Sequence, residues 1–320
     1  MSNTTEMILI TGGTGFAGSH LVERLLGTHS PESIHVTHAT DLSSEMKSQL
    51  PETSFHRLDM RNRDATEQVL LAVKPTQIYH LASIATAAGS FENSHEVLFN
   101  NIELQLNLLE LIKLHCSSAR VLIVCSADGY GVSVSDSEIP ITESHPLRPI
   151  NPYGVSKVTQ EMLAYAYGQS WKLNILLVRP FNHIGDRQTG DFAVPSFAKQ
   201  IVAVERGDQQ SIKVGSLEGI RDFTDVNDMV KAYELVMEKG SILDPYNVGS
   251  GTGITMQKLL DELRSLATKE IPTEVDPQRI RPLDIPVIIA NNEKIKALGW
   301  SPEIPLTETL QRVLAYWRTQ

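Results

Sequence analysis

Residues 7–27 read MILITGGTGFAGSHLVERLLG. A short β-branched run, MILIT, passes through a glycine turn into a helical pattern, GFAGSHLVERLLG. Gly12, Gly15 and Gly18 fall at the spacing G-x-x-G-x-x-G. Glycine permits backbone conformations closed to other residues, and its missing side chain lets a pyrophosphate approach the turn. The helix start then offers N–H donors and the positive end of its dipole. With 20 glycines in the chain the spacing alone is a weak signal. Its position between a strand and a helix makes it a strong one. The segment therefore predicts a dinucleotide site contributed by Gly12, Gly15, Phe16, Ala17 and Gly18.

Outward from this turn, short β-branched runs alternate with longer helical patterns. SIHVTH (33–38), SFHRLD (54–59), QIYHLAS (77–83), RVLIVCS (120–126) and NILLVRPFN (174–182) read as strands. HEVLFNNIELQLNLLELIKLH (95–115) and the segment after Tyr153 read as long helices. This alternation predicts an α/β fold, a Rossmann-type doubly wound parallel sheet, with a smaller C-terminal α/β lobe for substrate. The dinucleotide domain is placed at 1–180, with returning segments near 222–248, and the substrate lobe mainly at 181–320. FAVPSFAKQIVAVERGD (192–208) and VNDMVKAYELVMEKG (226–240) read as helices, the second stopping at Gly240. Pro and Gly near 271–286 and 299–305 suggest loops over a cleft.

In dinucleotide sites a carboxylate about 20 residues past the glycines usually takes the adenosine ribose. His38 or Ala39 stands there instead, with Asp41 slightly beyond, and no Arg marks a 2′-phosphate site. The choice between NAD and NADP is left open by these residues. Asp59 is a candidate adenine contact, with a turn-capping role as its alternative.

The 320-residue chain is 41% hydrophobic with a net charge of −10, which argues against a broad nucleic-acid or anionic-membrane surface. Cys116 and Cys125 have no disulfide or zinc spacing, and the ten His form no metal-ligand pattern. The polar start MSNTTE and the absence of an 18-residue apolar run suggest a cytoplasmic protein.

Asn151 suits a helix N-cap and Pro152 the first helical position. Tyr153 and Lys157, at i and i+4, then share a face. A phenol ionises near pH ~10, and bringing it to ~7 takes about 4 kcal/mol, which a close ammonium beside an oxidised nicotinamide could supply. The ordinary alternative is a surface pair. Upstream, VCSADGYG places Ser126 at the C-terminal end of a strand, where ligands meet parallel sheets.

TGGTGFAG, YHLAS, Ser126 and YGVSK together resemble the extended short-chain dehydrogenase/reductase family, whose members act on nucleotide-linked sugars. The resemblance spans essentially the whole chain. It implies that Tyr153 is the acid–base, that Lys157 binds the nicotinamide ribose and tunes Tyr153, and that Ser126 orients the reacting oxygen. It also implies cofactor contacts at Met60, Leu81, Ala82 and Pro180. Asn101 matches the family's Asn in its helix, whereas Leu104 stands where many members have Gly.

VRPFNHIGDRQ, GIRDFTDVNDMVKAY, YNVGSG and DPQRIRPLDIP resemble the GDP-6-deoxy-D-mannose reductase branch, with Asp186 replacing a common Pro. The implied reaction is reduction of the C4 ketone of GDP-4-keto-6-deoxy-D-mannose to GDP-D-rhamnose by NAD(P)H. Sugar-nucleotide 4,6-dehydratases usually follow the Thr or Ser with an Asp–Glu pair for elimination. This chain has Ala127 and Asp128 there. Candidate substrate residues are Asp128, Asn182, Val194, Lys199, Arg221, Arg281 and Asp284, the arginines being suited to a pyrophosphate. The alternatives are a surface pair of Arg221 with Asp222 or Asp225, and a solvated loop position for Arg281. His183 could line the pocket or be structural. A nucleotide-sugar 4-epimerase with tightly bound NAD, a GDP-mannose 4,6-dehydratase and a non-catalytic dinucleotide sensor are the rival readings. The helices near 95–116 and 152–170 have apolar residues on more than one side, which suggests a homodimer.

Overall fold

The computed structural model describes residues 6–39, 54–85, 89–132, 138–280 and 285–320. Seven parallel strands form the main sheet: β1 (Ile8–Thr11), β2 (Ile34–His38), β3 (Ser54–Arg57), β4 (Gln77–His80), β5 (Arg120–Val124), β6 (Asn174–Pro180) and β10 (Pro245–Val248). Their order is β10-β6-β5-β4-β1-β2-β3. Strand order reverses between β1 and β4, and the carboxyl ends of these two strands open a crevice there.

Alternation along β1 shows why the sheet is covered on both sides. Ile8 and Ile10 join Leu21, Val36, Leu176, Met229 and Tyr233 in one core cluster. Leu9 joins Ile78, Leu108, Val121, Ile123 and Ile175 in the other. β1, β4, β5 and β6 each feed both cores, which is why β1, β5 and β6 are apolar almost throughout, whereas β2, β3 and β10 feed the first core only. The first core packs under α1 (Phe16–Leu26) and α6 (Val226–Lys239). The second packs under α2 (Arg63–Val73), α3 (Ser94–His115) and α4 (Pro152–Trp171). Cys125 is buried immediately after β5, and Leu104 packs in the second core.

The expected strand over 174–182 is broken. β6 ends at Pro180, and β7 (Asn182–Ile184) leaves the main sheet to pair with β9 (Ile220–Asp225). Pro180 lacks a donor, while the Phe181 N–H bonds the Val248 carbonyl at 2.8 Å, so ladder bonding continues one residue past the strand before the chain crosses. β9 also pairs with β11 (Gly253–Thr255) and β13 (Val287–Ile288), and β8 (Ile212–Val214) with β12 (Thr273–Val275). α5 (Ala193–Arg206), α7 (Met256–Ser265) and α9 (Leu306–Thr319) enclose a third core around Phe197, Leu259, Leu260 and Leu310. A short α8 (Glu293–Lys296) completes the helices of the described residues.

Helix starts follow local chemistry. The Asn151 side chain accepts the Gly154 N–H at 2.7 Å with Pro152 as the first helical residue, as the sequence predicts. Asp225 caps α6 through the Asn227 N–H. Among the described residues no helix is long and apolar enough to cross a membrane.

Candidate active site

The glycine turn follows β1 at the crevice. Gly12 adopts φ +67° and lies so close to the next strand's loop that an added Cβ would sit 2.9 Å from the Ala82 N and Cα. At Gly18 a Cβ would meet the Gly12 carbonyl at 2.3 Å. α1 starts at Phe16 with no side-chain cap, leaving its first N–H groups to another acceptor. A cradle that only glycine can line, ending on an uncapped helix start, fits a dinucleotide pyrophosphate. Leu81 and Ala82 form its facing wall. The Leu81 N–H donates to the Thr11 carbonyl and the Ala82 N–H to Thr11 Oγ1.

Ser126, Tyr153 and Lys157 converge where β4 and β5 end. Ser126 follows β5, and its hydroxyl lies close enough to the Tyr153 phenol to favour its ionised form. The same hydroxyl accepts the Asp128 N–H at 3.1 Å and donates to Asp128 Oδ2 at 3.3 Å. Asn151 Nδ2 reaches the other Asp128 oxygen at 3.4 Å. Lys157 Nζ donates to the Val124 carbonyl at 2.7 Å, Gln160 Oε1 at 3.0 Å and Ser83 Oγ at 3.4 Å.

The electrostatics differ from the expectation of an acidified phenol. Burial and then the Asp128 charge push Tyr153 well above the usual phenol range, with only the Ser126 hydrogen bond opposing them. The Lys157 ammonium is bonded to neutral oxygens of Val124, Ser83 and Gln160 and does not offset this. Tyr153 therefore holds its proton firmly at neutral pH, the state a proton donor needs. Burial lowers Lys157 itself to about 8.

The other predicted residues are placed as follows. Phe16 stacks on His183, ring centroids 5.7 Å apart at 6°, which brings the glycine turn against β7. His183 Nδ1 bonds the Phe181 carbonyl, and burial depresses its pKa, so it is a neutral, partnered ring. Pro180 closes β6 and Asn182 opens β7 at the same mouth. Val194 is buried in the first turn of α5. Met60 has its side chain in the second core while its carbonyl accepts from Asn107 Nδ2. The Asp59 carboxylate takes the Arg61 N–H and guanidinium, which lowers its pKa and caps the local turn. Lys199 is exposed with its ammonium 5.6 Å over the Trp317 ring, on the α9 side of α5.

Arg221 is half-buried on β9 and donates to the Ile220 carbonyl at 3.0 Å. The two acids proposed as its alternative partners have structural duties. Asp222 accepts the N–H groups of Ser250, Gly251 and Ala290, and Asp225 accepts from Thr309 and Arg312 as well as capping α6. Asp41, Arg281 and Asp284 lie outside the described residues.

Sequence reasoning missed Gln160, which contacts Lys157, and the second duty of Asn101. The Asn101 side chain accepts the Ile84 N–H at 2.7 Å and donates to the Ile84 carbonyl and Ser156 Oγ, clamping the loop that carries Ser83. Gln160 could have been found from its i+3 spacing to Lys157.

Residues 9–313 match the family model described as GDP-mannose 4,6 dehydratase. The chain is 31% identical to GDP-6-deoxy-D-mannose reductase of Pseudomonas aeruginosa, over 99% of this chain and 98% of that protein. The structure of RMD from P. aeruginosa complexed with NADPH superposes with TM-score 0.85 at 30% identity, covering 98% of this chain and 99% of that one. UDP-glucose 4-epimerase of Thermus thermophilus in complex with NAD superposes with TM-score 0.86 at 27% identity, covering 98% and 99%.

Proposed function

Because the chain belongs to the GDP-mannose 4,6-dehydratase family of extended short-chain dehydrogenases/reductases, we propose that it reduces the C4 ketone of GDP-4-keto-6-deoxy-D-mannose to GDP-D-rhamnose with NAD(P)H. One observation carries the choice of reduction over elimination. Ser126 and Tyr153 share the crevice, yet the residue after Ser126 is Ala127, so one carboxylate of a dehydratase pair is missing. The near full-length similarity to the P. aeruginosa reductase supports the same reading.

Bound NAD(P)H supplies the hydride. Tyr153 donates its proton to the oxygen that becomes the C4 hydroxyl, and Ser126 donates a hydrogen bond to that oxygen. Lys157 holds the nicotinamide ribose. Gly12, Gly15, Phe16, Ala17 and Gly18 hold the pyrophosphate, while Asp59, Met60, Leu81, Ala82 and Pro180 line the rest of the dinucleotide site. Asp128, Asn182, Val194, Lys199, Arg221, Arg281 and Asp284 serve the nucleotide sugar. Residues 1–180 with 222–248 act as the dinucleotide unit and the remainder mainly as the substrate lobe.

The test is to supply GDP-mannose, a 4,6-dehydratase and NADH or NADPH, then identify the sugar. Oxidation of the cofactor with formation of GDP-D-rhamnose is expected. No cofactor oxidation with freshly made 4-keto sugar would refute the assignment. The likeness to an epimerase complexed with NAD favours a second reading, 4-epimerisation on retained NAD. Stoichiometric dinucleotide in the purified protein, with turnover needing none added, would select it.

A homodimer through α3 and α4 is part of the proposal. Phe99 and Leu106 on α3, and Val155 and Met162 on α4, are exposed and seven residues apart in each pair, so each pair lies along one face. Light scattering after size-exclusion chromatography is expected to give twice the chain mass, and Met162→Asp to give monomers. A wild-type monomer at micromolar concentration would refute the dimer.

A further inference from the structure

An ammonium carries three donors and no acceptor. Lys157 meets three oxygens, all neutral: the Val124 carbonyl, Gln160 Oε1 and Ser83 Oγ. Among the described residues no carboxylate is bonded to it. The titratable groups around it come from four elements, β4, β5, α4 and β6. His80 on β4 is buried and neutral, its pKa driven down to about 3 by burial and then by the Lys157 charge. Cys125, after β5, is a thiol pushed well above its ordinary value by burial. Tyr153 lies on the same helix as Lys157 and stays protonated. The Glu161–Arg179 ion pair, from α4 and β6, stands behind Cys125 and is internally neutralised.

Within this setting Gln160 can be seated in one way only. Its Nε2 donates to the Asn101 backbone carbonyl at 2.8 Å while its Oε1 accepts from Lys157. A flipped amide would set NH2 against the ammonium and one carbonyl oxygen against another, two repulsive contacts. The side chain is 1% exposed, so water does not relieve such an error. Asn101 is itself pinned, by its side-chain bonds to Ile84 and Ser156. A second glutamine, Gln105 on α3, donates to the Gln160 backbone carbonyl across the same seam without touching Lys157.

We propose that Gln160 is a positioning residue, its amide locked by the Asn101 carbonyl so that its oxygen aims the Lys157 ammonium at the cofactor side of the crevice and helps keep it charged. The inference rests on the acid–base reading of Tyr153 and Lys157, not on the identity of the sugar. Val124 offers a backbone carbonyl at the end of β5 and Ser83 a long 3.4 Å contact, so Gln160, at 3.0 Å, is the nearer of the two side-chain acceptors that fix the head group. Burial already brings Lys157 close to working pH, and losing one neutral acceptor lowers its affinity for a proton further.

The test uses the full chain labelled with 13Cε-lysine, the Lys157 resonance being assigned by its loss in Lys157→Arg. Gln160→Met removes the acceptor at similar volume, and Gln160→Asn keeps an amide but withdraws it by one methylene. Both are expected to move the Lys157 NMR midpoint down by about one pH unit. The alkaline limb of kcat/KM should follow by the same amount, with KM for the nucleotide sugar little changed. Gln105→Met, in the same seam, should lower Tm and leave the midpoint in place. A folded Gln160 variant whose midpoint stays within ~0.3 units of wild type overturns the proposal. So does a Gln105→Met shift as large as that of Gln160→Met. If Gln160→Met does not fold, Gln160→Asn decides. The midpoint is read without substrate, so absent turnover in the wild type counts against the sugar assignment alone.

Discussion

Lys157→Met should change the way stability depends on pH, by an amount the structure supplies. Burial takes the Lys157 ammonium from 10.5 to about 8. The folded protein therefore binds this proton less tightly than the unfolded chain does. Below pH 8 both states are protonated and the native state carries the whole penalty. That penalty is the shift, 10.5 − 8 or about 2.5 units, at about 1.36 kcal/mol per unit, giving about 3.4 kcal/mol. As pH rises through 8 the folded state sheds the proton first, and the penalty fades, vanishing above 10.5. At pH 9.5 about 1.4 kcal/mol remains, so wild type gains about 2 kcal/mol over the variant between pH 7 and 9.5. The difference between the two proteins cancels the shared titrating groups that do not feel Lys157, while His80 and Cys125, which do, stay neutral in the folded protein over this range. The change of that difference from pH 7 to 9.5 also removes any pH-independent loss of the contacts to Val124, Gln160 and Ser83. Urea denaturation of the two dinucleotide-free proteins at both pH values, with coincident fluorescence and circular-dichroism transitions, measures it. A wild-type-minus-variant stability that stays constant within about 0.5 kcal/mol would refute the buried, marginally charged lysine.

Other perturbations separate chemistry from architecture. Tyr153→Phe should lower kcat by roughly 10²–10⁴-fold with dinucleotide affinity nearly unchanged, as steady-state kinetics and titration calorimetry would report; near wild-type turnover would remove Tyr153 as proton donor. Gly12→Ala forces an L side chain to φ +67° against the Ala82 backbone. About 1–2 kcal/mol of backbone strain, relieved when the free turn relaxes and restored on binding, predicts a roughly 5- to 30-fold loss of dinucleotide affinity, read by fluorescence titration. Glu161→Leu strands the buried Arg179 guanidinium, which now shares two hydrogen bonds with that carboxylate. A loss of about 3–5 kcal/mol in chemical denaturation is expected, and a loss under about 1 kcal/mol would show the pair to be dispensable.

What could be read from the chain before its fold was known is what local chemistry dictates. β1, the glycine turn and α1 follow from adjacent residues, because strand alternation, positive φ at Gly12 and an uncapped helix start are all local properties. The Asn151–Pro152 helix start, and with it the shared face of Tyr153 and Lys157, is equally short-range. Tertiary structure alone decided what those side chains meet. Ser83 lies 74 residues from Lys157, and Asn101 lies 59 from Gln160, so no spacing rule links them. The run 174–182 divides between two sheets because β10 and β9, more than 30 residues further on, offer separate partners to its two ends. The phenol's proton affinity follows the same rule. An ammonium one helical turn away suggested an acidic Tyr153, but burial and Asp128 outweigh it, since desolvation depends on everything packed around a group.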